Sequence, residues 1–296
     1  MDIIPDQLPR IQALSKSWAP TVSIDMLRLD EVHQVISGNK WYKLKENIKA
    51  ALSAGNVGLI TFGGAYSNHL IATAAAANAY NIRSIGIVRG LHAAENLTTT
   101  LKSCIAYGME LLFVSREEYA RKEEELYLSQ LSAKYPNYMI VPEGGANHYG
   151  RLGVTALAKL VSDEYDHICV SVGTGTTMAG VINGVGEKTK VYGYAPMKGG
   201  LYLKESMTSW VDNANWQLFD DWHFGGFGKH NQELVDFMNE FYVINDIPLD
   251  MVYTAKMMYG VKKQVENVVF PSGAKVLAIH TGGLQGNSNI ATKLVY

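Results

Sequence analysis

Residues 58–81 read GLITFGGAYSNHLIATAAAANAYN and contain the local pattern that decides the fold. The apolar run Gly58–Phe62 predicts a buried strand, and the Ala-rich run Leu70–Asn81 predicts a helix. Between them, Gly63 and Gly64 predict a tight turn. A strand followed at once by a helix is the unit from which parallel sheets are built.

This unit recurs along the chain, because short β-branched runs alternate with longer Ala- and Leu-rich helical patterns. The alternation predicts an α/β fold with mainly parallel, twisted sheets covered by helices. The other predicted strands are Ser84–Val88, Glu110–Val114, Tyr138–Pro142, His167–Val172, Lys190–Ala195 and Lys275–His280. The other predicted helices are Trp41–Ala54, Arg116–Lys134, Gly153–Asp163, Gln232–Tyr242 and Thr254–Asn267. Residues 198–230 predict an irregular, aromatic-rich segment over the core.

The composition is that of a folded chain with one large α/β unit or two domains. Its 296 residues are 47% hydrophobic and 18% charged, which excludes intrinsic disorder. The formal net charge of −2 argues against nucleic acid as the main partner. The first ten residues lack a signal-peptide pattern, and no apolar run approaches the roughly 18 residues that span a bilayer. We therefore expect no membrane partner.

The two cysteines, Cys104 and Cys169, are too far apart in sequence for a zinc or redox motif of the C-x-x-C type. Cys169 lies in the apolar run 168–170 and is expected to pack as a small hydrophobic side chain. We expect free structural thiols, no metal site and a reducing, cytoplasmic setting.

Two turns between a predicted strand and a helix carry residues suited to binding anions. Ser67, Asn68 and His69 follow the first strand, where unpaired amides and the helix dipole favour a carboxylate or a phosphate. An ordinary capped turn is an open alternative there. Residues 172–180 read VGTGTTMAG, whose glycines expose the backbone and whose threonines add hydroxyl donors. This spacing matches neither a P-loop nor a dinucleotide fingerprint, and it favours binding of a phosphate monoester.

A third segment, residues 37–45, reads SGNKWYKLK. It predicts that Lys40 and Lys43 lie one turn apart at the start of a helix. Cations at a helix N-terminus oppose the helix dipole, so the placement is unfavourable unless an anion compensates for it. A solvated basic face is the alternative interpretation.

Two C-terminal segments complete the pattern: VYTAK at residues 252–256 and IHTGG at residues 279–283. The second ends a predicted strand, where open α/β sheets place ligand contacts. In this order, the five segments resemble those of the pyridoxal-phosphate enzymes with the tryptophan-synthase-like fold. The most similar subfamily comprises the aminocyclopropane-carboxylate deaminases and D-cysteine desulfhydrases, and the resemblance covers nearly the whole chain.

The resemblance implies a two-lobed α/β architecture like that of the tryptophan synthase β-subunit. Residues 41–143 would form a smaller α/β domain. Residues 1–40 and 144–296 would form a larger domain that binds pyridoxal phosphate. A homodimer that acts on a small amino-acid substrate is also implied.

The resemblance further implies the roles of individual residues. Lys40 would hold pyridoxal phosphate covalently and, once released, move the α-proton of the substrate. Asn68 would hydrogen-bond the ring hydroxyl of the cofactor. The cofactor phosphate would be bound by Lys43, Gly173, Thr174, Gly175, Thr176 and Thr177. The substrate carboxylate would be received by Ser67, Asn68 and His69. Tyr253 would lie beside the cofactor ring, and it is expected with Lys40 and Ser67 to be catalytic.

Two cofactor-binding positions separate the subfamilies. Deaminases typically have Glu after the tyrosine and Leu after the C-terminal histidine, whereas this chain has Thr254 and Thr281, as desulfhydrase-like members do. A neutral hydroxyl near the pyridine nitrogen cannot keep it protonated as a carboxylate could, so the ring is a weaker electron sink. This favours β-elimination from a small D-amino acid, D-cysteine first. His69, where the deaminases tend to have Gln, points the same way.

Two residues depart from the family pattern. Tyr66 stands where Gln is common, and Phe227 stands where relatives place a second active-site tyrosine. We expect both to contact the substrate, and either change could alter substrate size or remove a proton-transfer group. The enzymatic alternative is deamination of 1-aminocyclopropane-1-carboxylate. The alternative from another class is a non-catalytic protein that binds pyridoxal phosphate or an amino acid.

Overall fold

A computed structural model describes residues 9–161, 164–211 and 213–296. Its chain divides into two compact units. The first contains Lys40–Gly153, and the second contains residues 9–39 and the described part of 154–296. Each unit is built on its own sheet with helices, which confirms the predicted α/β class with mainly parallel sheets.

The strands and helices follow one another along the chain much as the alternating pattern indicates. The strands are β1 (Ile11–Ala13), β2 (Ser23–Arg28), β3 (Gly58–Gly63), β4 (Arg83–Arg89), β5 (Met109–Val114), β6 (Tyr138–Val141), β7 (His167–Ser171), β8 (Lys190–Tyr194), β9 (Trp216–Phe219) and β10 (Lys275–His280). The α-helices are α1 (Asn39–Ser53), α2 (Asn68–Ala79), α3 (Thr99–Ala106), α4 (Arg116–Ala120), α5 (Glu125–Lys134), α6 (His148–Ala158), α7 (Thr176–Gly184), α8 (Leu203–Thr208), α9 (Gln232–Asn245) and α10 (Thr254–Glu266).

The sheet of the first unit has the order β5-β4-β3-β6, and all of its neighbouring strands are parallel. Every residue of the central strand β3 is buried, as expected for a parallel strand covered on both faces. Phe62 packs in a cluster with Tyr119 and Leu131 from α4 and α5. A second cluster joins Leu70 of α2 to Leu101 of α3.

The sheet of the second unit has the order β1-β2-β10-β7-β8-β9. Only the β1–β2 pair is antiparallel among the pairings of its described strands. Helices α9 and α10 contribute Phe241, Met257 and Val261 to a large core that also contains Ile24 and Val276 from the sheet. Because β7 and β10 are parallel neighbours, the segments that follow them lie at one edge of this sheet.

All seven predicted strands are confirmed to within one residue at each end. The single helix predicted over 116–134 is wrong, because residues 121–124 form turns with i to i−3 hydrogen bonds between α4 and α5. Arg, Lys and Glu at the break are strong helix formers, so propensity gives no sign of it. Ser162 and Asp163, the end of another predicted helix, lie outside the described residues.

The segment predicted as irregular, residues 198–230, contains α8 and the edge strand β9, so that prediction is wrong in part. Strand β9 has only four residues and pairs on one side, with β8. So short an edge strand lacks the run of alternating residues by which strands are recognised. Strands β1 and β2 were not predicted either, and Asp25 interrupts the apolar pattern of β2.

Both cysteines are free and buried, as predicted. Burial raises the pKa of the Cys104 thiol and of the Cys169 thiol to about 12. Neither thiol is therefore a nucleophile near neutral pH. In the described ranges, no helix is long and apolar enough to cross a membrane.

Candidate active site

In the first unit, the start of α1 carries a cluster of positive charge. Lys43 is only 4% exposed. Burial and the charge of Lys40 both lower the pKa of Lys43 well below its usual range. Removing an ammonium group from water beside a like charge is unfavourable, and a bound anion would reverse the effect. The Lys43 side chain is thus suited to an anionic group of a ligand.

His69 lies close enough to this cluster to feel both lysine charges. Its Nε2 is 2.8 Å from the hydroxyl of Thr61, which donates its proton to the carbonyl of Val141 at 2.8 Å. The hydroxyl can therefore only accept from the imidazole, so Nε2 carries the proton. Burial, followed by the charges of Lys40 and Lys43, lowers the pKa of His69 to about 3.

His69 is consequently neutral at pH 7, and its Nδ1 is a buried acceptor without a partner among the described residues. In this tautomer Nδ1 has no proton to donate to a carboxylate. The role predicted for His69 as a ligand of the substrate carboxylate stays a prediction, and its bond to Thr61 indicates a positioning role at the start of α2.

This environment makes His69 a source of acid sensitivity. Because its pKa is about 3 in the fold and 6.5 ordinarily, the unfolded chain binds the proton first as the pH falls below 6.5. The free energy of unfolding that the neutral His69 contributes is fully present above pH 6.5 and is lost toward pH 3. Between about pH 8 and pH 5 the loss from this residue amounts to about 2 kcal/mol.

His69→Gln is therefore expected to lose about 2 kcal/mol less unfolding free energy than the parent over this pH range. Urea denaturation of the cofactor-free protein measures the difference. His92→Gln, which replaces an exposed histidine of the same unit, is the control. Equal losses in the parent and the His69 variant would show that His69 does not titrate as described.

Ser67 and Asn68 form the N-terminus of α2, which begins two residues before the predicted start at Leu70. The Ser67 hydroxyl accepts from the backbone N–H of Leu70 at 3.2 Å and caps the helix. The side-chain oxygen of Asn68 is buried and lacks a hydrogen-bond partner in the described part of the chain. A buried polar atom without a partner costs about 1–3 kcal/mol, so a ligand donor is the expected complement. Tyr66, just before them, is exposed.

In the second unit, the predicted phosphate loop connects β7 to α7. Gly175 has φ +80° and begins α7 without a side-chain cap among the described residues. The hydroxyls of Thr174 and Thr176 are 2.9 Å apart. The Thr177 hydroxyl accepts from the side-chain amide of Asn39 at 2.7 Å. Open amides and three hydroxyls at one helix N-terminus provide donors for a phosphate.

Gly173, Tyr253 and Phe227 are brought together next to this loop. A Cβ on Gly173 would lie 3.3 Å from Cε1 and 3.4 Å from the hydroxyl of Tyr253, so a larger residue would crowd the ring and require it to shift by a few tenths of an ångström. Phe227 contacts Tyr253 edge to face, with ring centroids 5.5 Å apart and planes at 79°. The Phe227 side chain is nonetheless 56% exposed, and so presents an apolar face.

The two threonines that distinguish the subfamilies have different surroundings. The Thr281 hydroxyl is 2.9 Å from that of Ser171, so two neutral hydroxyls meet at the ends of β10 and β7. The Thr254 hydroxyl donates to the carboxylate of Asp250 at 2.8 Å and accepts from the Asp250 N–H at 2.8 Å. Its role in cofactor binding stays a prediction.

Asp250 is a residue that the sequence reasoning missed. Its carboxylate accepts the backbone N–H groups of Val252, Tyr253 and Thr254, each at 2.8 Å, as well as the Thr254 hydroxyl. It therefore fixes the turn that presents Tyr253 at the start of α10. An aspartate a few residues before a helical pattern is a capping signal that could have revealed it.

The residues that precede Lys40 are held against the end of β10. A Cβ on Gly38 would lie 1.8 Å from the carbonyl oxygen of Thr281, and Gly38 has φ +71°. The Asn39 N–H donates to that same carbonyl at 3.3 Å. Only glycine permits this close backbone approach, which sets where α1 begins.

Residues 15–282 match the family model described as pyridoxal-phosphate dependent enzyme. The chain belongs to this family. It is 29% identical over 307 residues to a putative 1-aminocyclopropane-1-carboxylate deaminase of Thermotoga maritima, covering 97% of this chain and 96% of that protein. It is 29% identical over 279 residues to the bifunctional D-cysteine desulfhydrase/1-aminocyclopropane-1-carboxylate deaminase, mitochondrial, of Arabidopsis thaliana, covering 85% of this chain and 70% of that protein.

A solved structure described as an ACC deaminase homologue superposes with a TM-score of 0.85 at 27% identity, covering 100% of this chain and 95% of that chain. The match supports the fold implied by the sequence resemblance. The family cofactor, pyridoxal phosphate, has an anionic phosphate and a polar ring. In the first unit, the buried amide oxygen of Asn68 and the buried Lys43 ammonium are each chemically suited to a polar or anionic group of this kind. In the second unit, the start of α7, which has no side-chain cap among the described residues, is suited to a phosphate.

Proposed function

We propose that this pyridoxal-phosphate enzyme is a lyase that catalyses β-elimination from a small D-amino acid, with D-cysteine as the first candidate. D-cysteine and one water would give pyruvate, sulfide and ammonia. The observation that carries the proposal is the neutral hydroxyl pair of Ser171 and Thr281, 2.9 Å apart at the ends of neighbouring strands.

The nature of this pair matters because the partner of the cofactor's pyridine nitrogen sets how strongly the ring withdraws electrons. A carboxylate partner stabilises the protonated ring, whereas a hydroxyl does not. The carboxylate of Asp250, four residues before Thr254, already accepts four hydrogen bonds, all at 2.8 Å. A weaker electron sink suits elimination of a good leaving group such as thiolate better than opening of a cyclopropane ring.

Pyridoxal phosphate, when bound, supplies the electron sink that stabilises negative charge on the substrate Cα. We propose that Lys40 holds the cofactor covalently and, once released, takes the α-proton as a general base. Lys43 and residues 173–177 bind the phosphate, and the Asn68 amide binds the ring hydroxyl. Thr281 would bind the ring nitrogen, and Thr254 would also contribute to binding the cofactor.

The substrate would be bound by its carboxylate and by its β-substituent. We propose that Ser67, Asn68 and the amides at the start of α2 receive the carboxylate, with His69 fixing that turn through Thr61. Tyr253 lies beside the ring as a proton-transfer group, and Phe227 lines the substrate together with Tyr66. A cytoplasmic homodimer is part of the proposal, supported by the sequence resemblance and, for the compartment, by the two free thiols.

Deamination of 1-aminocyclopropane-1-carboxylate is the second candidate. It is favoured by the names of the Thermotoga relative and of the solved homologue. Its products would be 2-oxobutanoate and ammonia, so sulfide and the identity of the keto acid distinguish the two reactions.

The substrate assay compares D-cysteine, L-cysteine and 1-aminocyclopropane-1-carboxylate at equal concentrations with the cofactor-loaded protein. We expect sulfide and pyruvate from D-cysteine at a rate at least about tenfold above the rate with either other compound, or about 1.4 kcal/mol in activation free energy. Thr281→Leu, which introduces the deaminase residue, should reduce the D-cysteine rate. Formation of 2-oxobutanoate without sulfide would overturn the desulfhydrase assignment in favour of the second candidate.

A further inference from the structure

Lys256 is a buried lysine of α10 to which the catalytic proposal gives no role. Its side chain is 2% exposed. Its ammonium group donates to the carbonyls of His223 and Gly226 at 2.8 Å and of Pro196 at 3.4 Å. Three donors thus meet three backbone acceptors, which matches the full capacity of an ammonium group. Burial lowers the pKa of Lys256 to about 8, so the side chain is still mostly charged at pH 7.

Two of these carbonyls belong to a loop, residues 223–228, whose backbone depends on glycine. Gly225, Gly226 and Gly228 have φ of +89°, +122° and +71°. Such glycine-rich backbone loses much conformational entropy when it is ordered. Within the loop, the Gly225 N–H donates to Nδ1 of His223 and the Gly226 N–H to the His223 carbonyl, each at 3.0 Å. Lys256 adds the bonds that tie this turn to α10.

Phe227 lies directly after the second carbonyl that Lys256 holds. Its ring meets Tyr253 edge to face at 5.5 Å. Tyr253 and Lys256 are three residues apart at the start of α10, a spacing that puts two side chains on one side of a helix. The same helical turn therefore carries both the ring that Phe227 packs against and the group that holds the Phe227 backbone.

We propose that Lys256 is a positioning residue that fixes the 223–228 loop, so that Phe227 forms an apolar wall beside Tyr253 for the substrate's β-substituent. The substrate part of this inference rests on the proposed function. The loop part does not, because it concerns contacts within the second unit alone. An apolar wall fits a thiol better than a charged β-substituent, since a buried charge needs a partner.

The loop can be tested by trypsin cleavage after Lys229, an exposed residue that adjoins it. Lys256→Met removes the three bonds and keeps the length of the side chain. In the cofactor-loaded protein we expect it to accelerate cleavage at this bond by about tenfold, because cleavage follows the population of the opened loop. Lys262→Met is the matched control: it removes another α10 lysine, whose ammonium donates to the Trp18 carbonyl at 2.7 Å. The Lys262→Met protein should be cleaved after Lys229 at the parental rate.

Gly226→Ala strains the loop backbone and leaves the Lys256 side chain unchanged. Gly226 has φ +122° and no atom within 4 Å of an added Cβ, so the effect of the change is on the backbone alone. We expect faster cleavage after Lys229 here as well. This second variant keeps the test decisive if Lys256→Met does not fold. Cleavage at the parental rate in the folded variants would overturn the proposal whether or not the protein turns over an amino acid.

The substrate part is tested by the kinetics of the reaction found in the substrate assay. Lys256→Met and Phe227→Ala should each raise KM about fivefold and leave kcat within about twofold. Because both act through the same wall, the double variant should resemble the single variants. If the increase in KM of the double variant were the product of the two single increases, or if only kcat fell, Lys256 would not act through Phe227.

Discussion

Lys40→Ala is expected to abolish the absorbance band of the covalently held cofactor and to reduce turnover by at least about 10³-fold. The reason is chemical: alanine has no amine to hold the cofactor covalently or to accept the substrate's α-proton. Absorbance spectra of the purified protein with added pyridoxal phosphate, followed by rate measurements with D-cysteine, provide the two readouts.

The matched control for this variant is Lys49→Ala in the same helix. Lys49 is exposed and pairs with Glu46 at 3.1 Å. Exposed ion pairs of this kind contribute little to stability, so the control should retain both the absorbance and the activity. A Lys40→Ala protein that keeps the band of the covalently held cofactor and stays active would show that another residue holds the cofactor.

Gly38→Ala is expected to lower the free energy of unfolding by about 3 kcal/mol or more. An alanine with φ +71° is strained, and its Cβ would fall 1.8 Å from the Thr281 carbonyl oxygen. The backbone of Asn39 or of Thr281 must move to relieve the overlap. Because Thr281 and Lys40, which follows Asn39, are proposed cofactor ligands, we also expect weaker binding of pyridoxal phosphate.

Gly55→Ala separates the cost of the backbone conformation from the cost of the steric overlap. Gly55 also has φ +71°, but no atom lies within 4 Å of an added Cβ. The Gly55→Ala change should therefore lower the free energy of unfolding only by the cost of the backbone conformation, about 1 kcal/mol. Urea denaturation of both variants gives the comparison. Equal losses would mean that the close approach of Gly38 to Thr281 does not contribute to stability.

Seven of the parallel strands were predictable because buried parallel strands are continuous apolar runs. The start of α2 was predictable to within two residues, since Ser67 has the character of a helix cap. The break between α4 and α5 was not, because helix-forming residues occupy the turn. The edge strand β9 was missed because four residues paired on one side leave little pattern.

The placement of Gly173 at the turn between β7 and α7 could be predicted because glycine-rich turns after strands have a recognisable sequence. The roles of Gly173, Thr176 and Tyr253 stay predictions. The role of Asp250 depends on four hydrogen bonds that form only when the turn before α10 is folded. The contacts of Lys256 were equally hidden, since its acceptors are backbone carbonyls up to 60 residues away in sequence. Side-chain patterns carry no information about such carbonyls.

The most direct test of the account is the visible absorbance spectrum of the cofactor-loaded protein during titration with D-cysteine and, in a parallel cell, with 1-aminocyclopropane-1-carboxylate. We predict that the absorbance band shifts with D-cysteine and that sulfide is released at the same time. A band that responds only to the cyclopropane acid would contradict the assignment of β-elimination. A band that responds to neither compound would contradict both reactions and favour a protein that binds the cofactor without catalysis.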